Sequence, residues 1–155
     1  MAGKTTVGSM TATNMQKAAL AVGAAFLLSG ILGFVPGITT DYGAMKFAGD
    51  SSGAQLLGIF QVSVLHNIVH LLFGVAGLAL ARSWTTARGF LMAGGALYLV
   101  LWIYGLLIDQ GSTANFVPVN TADNWLHLAL GAGMVALGFA FQHEHAAPPR
   151  AHPAT

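Results

Sequence analysis

The sequence predicts an all-α membrane protein: four transmembrane helices in a compact bundle built from two helical hairpins, with both termini cytoplasmic. Three observations predict it. Only 7% of the residues are charged and 55% are hydrophobic, whereas soluble proteins carry roughly 25% charged residues, so the chain has too little charge to cover a water-facing surface. Four apolar runs recur along it, each close to the ~20 residues that cross about 30 Å of hydrocarbon. The lysines and arginines then fall almost entirely on one side of those runs. Helices are expected because a helix satisfies its own backbone groups in lipid and an open sheet does not.

Residues 1–14 are small and polar with Lys4 as the sole charge, and read as a disordered lead in which Thr13 or Asn14 can cap the first helix. That helix is expected over 18–35, ended by Pro36-Gly37. It reads as a retained span and not a cleaved signal. A signal core is about 7–15 residues long and is followed by a small-residue cleavage site, and neither feature is present. Residues 37–59 form a long connection, in which Ala54 to Phe60 is apolar enough to lie along the interface or tuck against the bundle. A second helix is expected over 64–81, a tight link through Ser83 to Arg88, a third helix over 89–108, and a fourth over 123–141 after the connection 109–122. The bundle thus occupies 15–142, and a tail rich in Ala, Pro and His, 143–155, is expected to be flexible. Glycines occur in all four spans, where small residues let backbones approach closely.

Orientation follows from the basic residues, which favour the cytoplasmic side. With both termini inside, Lys4, Lys17, Arg82, Arg88 and Arg150 lie inside and only Lys46 outside. Asp41, Asp50, Asp109 and Asp123 then lie outside and Glu144 inside. Trp84 and Trp125 fall at the two boundaries, as interfacial aromatics do.

The second and fourth helices begin alike. Shifting the chain by 57 positions superposes Val62-Ser63 on Val119-Asn120, Asn67 on Asn124, His70 on His127, Leu71 on Leu128 and Gly74 on Gly131. The shared pattern is V-[S/N]-x-x-[H/D]-N-x-x-H-L-x-x-G, and no comparable match is seen between the first and third helices. Such a repeat places His66 and His70 opposite Asp123 and His127 at equal depth, about one turn below the outer surface.

Residues four apart share a helical face. Three imidazoles and a carboxylate converging between helices can therefore hold a transition metal such as Zn, Cu, Fe or Mn. In that reading His66, His70, Asp123 and His127 are the ligands, and Asn67 and Asn124 hydrogen-bond behind them. The competing reading is structural. Ser63 and Asn120 are good helix caps, which puts His66 and Asp123 at the third helical position, where a side chain can reach back to the cap backbone. His70 and His127 have no such role. A third arrangement makes them the axial ligands of a b-type haem, with Gly74 and Gly131 leaving room for the macrocycle.

The segments H-N-x-V-H-L-L-F-G (66–74), Y-x-x-L-W-I-Y-G (98–105) and V-N-T-A-D-N-W-L-H-L (119–128) resemble those of domain of unknown function 4383, a family of four-helix bacterial membrane proteins. The similarity runs from about Ala18 to Phe141. It implies a multi-pass protein of the bacterial plasma membrane and carries no established activity, cofactor or catalytic residue.

Other features carry less. Tyr98 and Trp102 share a face and read as packing. His143-Glu144-His145 and His152 lie in the tail. No cysteine is present, which excludes disulfides and thiolate chemistry. Neither a Ser-His-Asp nor a lysine nucleophile system is found, so the reading favours a non-enzymatic protein. A formal net charge of +1 gives no reason to expect nucleic acid. The partners expected are the lipid bilayer and, if the chain is a small accessory subunit, other membrane proteins of a larger complex.

Overall fold

The computed structural model describes residues 12–146, and the remainder of the expected lead and tail lies outside the described residues. Four helices carry the fold: α1 (Asn14–Leu32), α2 (Val64–Leu80), α3 (Trp84–Leu107) and α4 (Thr121–Ala140). Three are long and apolar enough to cross a membrane, whereas α2, at 17 residues, is shorter. Large apolar side chains such as Leu28, Leu72, Val100 and Phe139 are exposed along the helices, as on a protein whose outside meets lipid.

Local chemistry shifts the helix starts from where hydropathy alone puts them. Thr13 accepts from the Gln16 amide while the Gln16 side chain accepts from Thr13 N, a capping box. It starts α1 at Asn14 and so includes the polar Gln16 and Lys17. The helix ends at Leu32, three residues before the expected limit. Gly33 caps it, and Phe34 and Val35 turn the chain into Pro36, before which helical backbone is disfavoured. Ser83 caps α3 by accepting from the Thr86 amide, so most of the expected link is the first turn of α3.

The connection between α1 and α2 departs from the all-α expectation. Strands β1 (Thr39–Thr40), β2 (Gln55–Leu56) and β3 (Phe60–Gln61) form a small antiparallel sheet in that order. Thr39 pairs with Leu56, and Leu56 with Phe60. The β2–β3 turn carries positive φ at Leu57 (56°) and Gly58 (69°), the left-handed pair that suits a tight hairpin. Ala54, Leu56 and Val62 are buried beneath the sheet against Leu32 and Met45. The stretch 54–60 therefore tucks against the bundle end as extended chain, with Leu57 and Ile59 outward.

The most extensive helix contacts join α1 to α2 and α3 to α4, so the pairs are antiparallel hairpins. Glycines set both interfaces. A Cβ on Gly23 would come within 2.9 Å of Leu78 N and 3.1 Å of Gly74 O; one on Gly95 would come within 3.0 Å of Val135 N and 2.9 Å of Gly131 O. A Cβ on Gly74 would strike Leu27, and one on Gly131 would strike Leu99. At the sheet-bearing end, Cβ atoms on Gly33 and Gly105 would collide with the amides of Asn67 and Asn124. Between the hairpins the core closes around Phe26, Phe90, Leu91, Tyr98 and Met134. At the opposite end Glu144 accepts from Asn14 Nδ2 (2.6 Å) and Met15 N (3.1 Å), and the segment Gln142–Ala146, a 3-10 turn, is thereby joined to the start of α1.

Candidate functional site: a histidine-lined cavity at one end of the bundle

The buried polar residues gather at one end. Thr39, Ser52, Ser63, His66, Asn67, Asn115, Asp123, Asn124 and His127 all lie in the α1–α2 and α3–α4 connections or in the first two turns of α2 and α4. The connections that cover this end are stitched together. Gly49 N donates to Phe116 O (2.7 Å), Asn120 Nδ2 to Ile59 O (2.7 Å) and Gln61 N to Asp123 Oδ2 (2.9 Å). Buried Asn115 shapes the second connection, donating to Gln110 O and Val119 O and accepting from Val119 N. That turn presents Pro118 O inward.

A cavity of about 250 Å³ lies under this cover, lined by His66, His70 and His127 together with Tyr98 and apolar side chains. Ser63 accepts from the His66 amide (3.1 Å) and so caps α2 as expected. The His66 side chain does not reach back to the cap. Its Nδ1 lies 3.2 Å from Pro118 O, and its Nε2 lies 3.2 Å from His70 Nε2. A carbonyl only accepts, so in the neutral ring Nδ1 of His66 carries the proton and Nε2 offers its lone pair to the Nε2–H of His70. The His70 lone pair is then on Nδ1. The tautomers follow from one backbone oxygen.

His127 comes to the same cavity from α4, its ring packed edge-on against Tyr98 at 5.2 Å. His70 packs likewise against Phe26 at 5.5 Å, and Phe26 contacts Tyr98 at 5.2 Å. A haem between His70 and His127 would have to displace this ladder of rings. The cavity, at about 250 Å³ below the roughly 300–1,000 Å³ of drug-sized ligand pockets, is too small for a macrocycle.

The remaining predicted residues take other places. Asp123 accepts from Asn120 N and from Gln61 N through the same oxygen, both at 2.9 Å, while Asn120 accepts from the Asp123 amide. The capping reading therefore describes Asp123, and its carboxylate faces the backbone of α4 and β3. The amides of Asn67 and Asn124 press onto Gly33 and Gly105 instead of standing behind the imidazoles. Their Oδ1 atoms have no hydrogen-bond partner and lie against glycine Cα hydrogens, weak donors that recur between helices. Among the described residues no group of three or more His, Cys, Asp or Glu is arranged to hold a metal ion. What remains of the four expected ligands is a close pair, His66 and His70, with His127 elsewhere on the cavity wall.

Sequence reasoning passed over Pro118, Gln61 and Phe116, since nothing in a backbone carbonyl, a backbone amide or a loop phenylalanine signals a site. Tyr98 was open to discovery, because it stands 72 positions after Phe26, as Gly95 and Gly105 stand 72 after Gly23 and Gly33.

A family model described as a domain of unknown function (DUF4383) matches residues 16–140 of the chain. No curated protein and no solved structure matches it.

Proposed function

The chain belongs to the DUF4383 family, and from that premise we propose that it is a multi-pass protein of the bacterial plasma membrane that holds a transition metal ion near the outer face. In this reading all four helices span, with both termini inside. Helix α2 is short for the task, about 26 Å at 1.5 Å per residue. Its support is α1, along which it runs from Asn67 beside Gly33 to Leu78 beside Gly23, so the two share one depth range.

The two hairpins are read as copies of one unit. Supporting this, the α1–α2 contacts Gly23–Gly74, Leu27–Gly74, Gly33–Asn67 and Phe26–His70 recur in α3–α4 as Gly95–Gly131, Leu99–Gly131, Gly105–Asn124 and Tyr98–His127.

One observation carries the metal reading: the Nε2 atoms of His66 and His70 lie 3.2 Å apart while Pro118 O holds the other nitrogen of His66. Two imidazole nitrogens bound tetrahedrally to one zinc ion at 2.0–2.1 Å stand about 3.4 Å apart. A carbonyl on the far nitrogen is the usual partner of a ligating histidine. The ion would replace the proton that the two rings share, and imidazole suits zinc, copper or iron. Asp123 takes no part.

The test is elemental analysis of protein purified in mild detergent. Near-stoichiometric metal is expected, lost in His66→Ala and in His70→Ala and retained in Asp123→Asn. Metal content unaltered in a His66→Ala/His70→Ala double variant sinks the reading and leaves the pair as a structural hydrogen bond.

A further inference from the structure

We infer that the cavity takes the ring head of a lipid-soluble quinone or quinol. The inference goes beyond the metal reading and does not rest on it, because the atoms it uses are not the paired Nε2 atoms of His66 and His70.

Position and size come first. Four lining side chains, Val69, Leu97, Tyr104 and Phe116, are exposed. The cavity therefore opens between α2 and α3, on the apolar flank of the bundle and just beneath the polar end. A ligand entering there comes from the lipid and not from water. The volume of about 250 Å³ exceeds the ~150 Å³ that accommodates a benzene by enough for ring substituents, and falls below the range of roughly 300–1,000 Å³ typical of larger ligands. One substituted ring fits, with its hydrocarbon tail left in the bilayer.

Polar chemistry then narrows the class. Two side chains on the wall, Tyr98 and His127, make no hydrogen bond to the described residues through Tyr98 Oη or either His127 nitrogen. Of the His127 nitrogens, Nδ1 is sealed in the protein without a partner, which leaves Nε2 to face the cavity. An unpaired buried donor is costlier than an unpaired lone pair, so Nε2 carries the proton. Tyr104 is already engaged, its hydroxyl donating to Ala114 O at 2.7 Å. The wall thus offers two donors, Tyr98 Oη–H and His127 Nε2–H. An apolar ring with oxygens at opposite ends satisfies such a wall. Its quinone form accepts from Tyr98 and His127. A few convergent polar groups in an otherwise apolar cavity are the usual mark of a small-molecule site.

The experiment titrates a benzoquinone carrying one isoprene unit into the full-length protein in lipid nanodiscs, followed by tryptophan fluorescence. The alkylbenzene of equal chain length serves as the partition control. Saturable quenching by the quinone is expected, with the alkylbenzene at least tenfold weaker. Tyr98→Phe removes one oxygen and keeps the ring ladder, and it should weaken quinone binding about tenfold; His127→Leu should do the same. Chelator-treated protein should bind as well as untreated protein, so loss of metal and loss of ring binding are read separately. Non-saturable quenching, equal binding of the alkylbenzene, or unchanged affinity in Tyr98→Phe overturns the inference. So does binding that disappears on chelation, because the partners would then not be these two donors. If His127→Leu fails to fold, Tyr98→Phe still decides.

Discussion

Replacing Gly74 by alanine is expected to lower stability by about 3 kcal/mol, the upper part of the range for an overpacked contact. The added Cβ would lie 2.5 Å from Leu27 N, 2.7 Å from its Cα and 2.8 Å from its Cβ. Backbone atoms cannot rotate aside, so α1 and α2 must move apart along the whole hairpin. In lipid, close packing has no hydrophobic drive between helices to fall back on. Gly131→Ala is the milder case, since its Cβ would meet the Leu99 side chain at 2.8–2.9 Å together with Leu99 N at 2.9 Å, and a leucine side chain can shift. Gly133 is the control, exposed and with nothing within 4 Å of a Cβ; alanine there should be neutral or gain up to about 1 kcal/mol of helix propensity. Unfolding in mixed micelles with increasing denaturing detergent, followed by circular dichroism, gives all three values. Equal effects at Gly74 and Gly133 would show that the hairpin is not packed as described.

Asp123→Ala should cost about 3 kcal/mol and Asp123→Asn well under half of that, because the alanine strands two backbone donors at roughly 1–3 kcal/mol each when buried. The donors are Asn120 N, at the cap that starts α4, and Gln61 N, which belongs to β3. An asparagine can still turn its carbonyl oxygen to both, whereas alanine unties the sheet from the helix. The loss should therefore be local as well as global, with amide exchange rising at Gln55 through Gln61 in Asp123→Ala. The pair of variants also separates cap from ligand. A cap tolerates asparagine, whereas an anionic metal ligand does not, so metal lost in Asp123→Asn would reinstate the carboxylate as a ligand.

Much of the polar end was legible because its rules are local. Ser63 and Asn120 cap α2 and α4 as their positions before the apolar runs require, and the capping pattern anticipates Asp123. For His66 the same rule offered the same role, and the ring turned elsewhere. Position sets what a side chain can reach, but the partner that arrives from another segment decides which reach is used. Gln61 N reaches Asp123, and Pro118 O reaches His66. Neither partner is visible as a pattern, since both are backbone atoms set by loop conformation. The strands escaped notice for a related reason. At two residues each they are too short for alternation to register.

The correspondence between the hairpins was half legible. Helices α2 and α4 align at a shift of 57, but α1 and α3 align at 72, because the connection after Gly33 is fifteen residues longer than the one after Gly105. No single shift reveals both.

The sequence by itself determined that the chain is helical and apolar, where its helices lie to within a few residues, and which end is polar. These depend on composition, hydropathy and capping, and each is read within a window of about a turn or a span. Only the tertiary structure decided that His66 pairs with His70, that Asp123 braces the sheet, that Asn67 and Asn124 sit on glycines, and that Tyr98 and His127 face a cavity. Those outcomes turn on contacts between segments tens of residues apart, where differences of an ångström between backbones choose one partner over another.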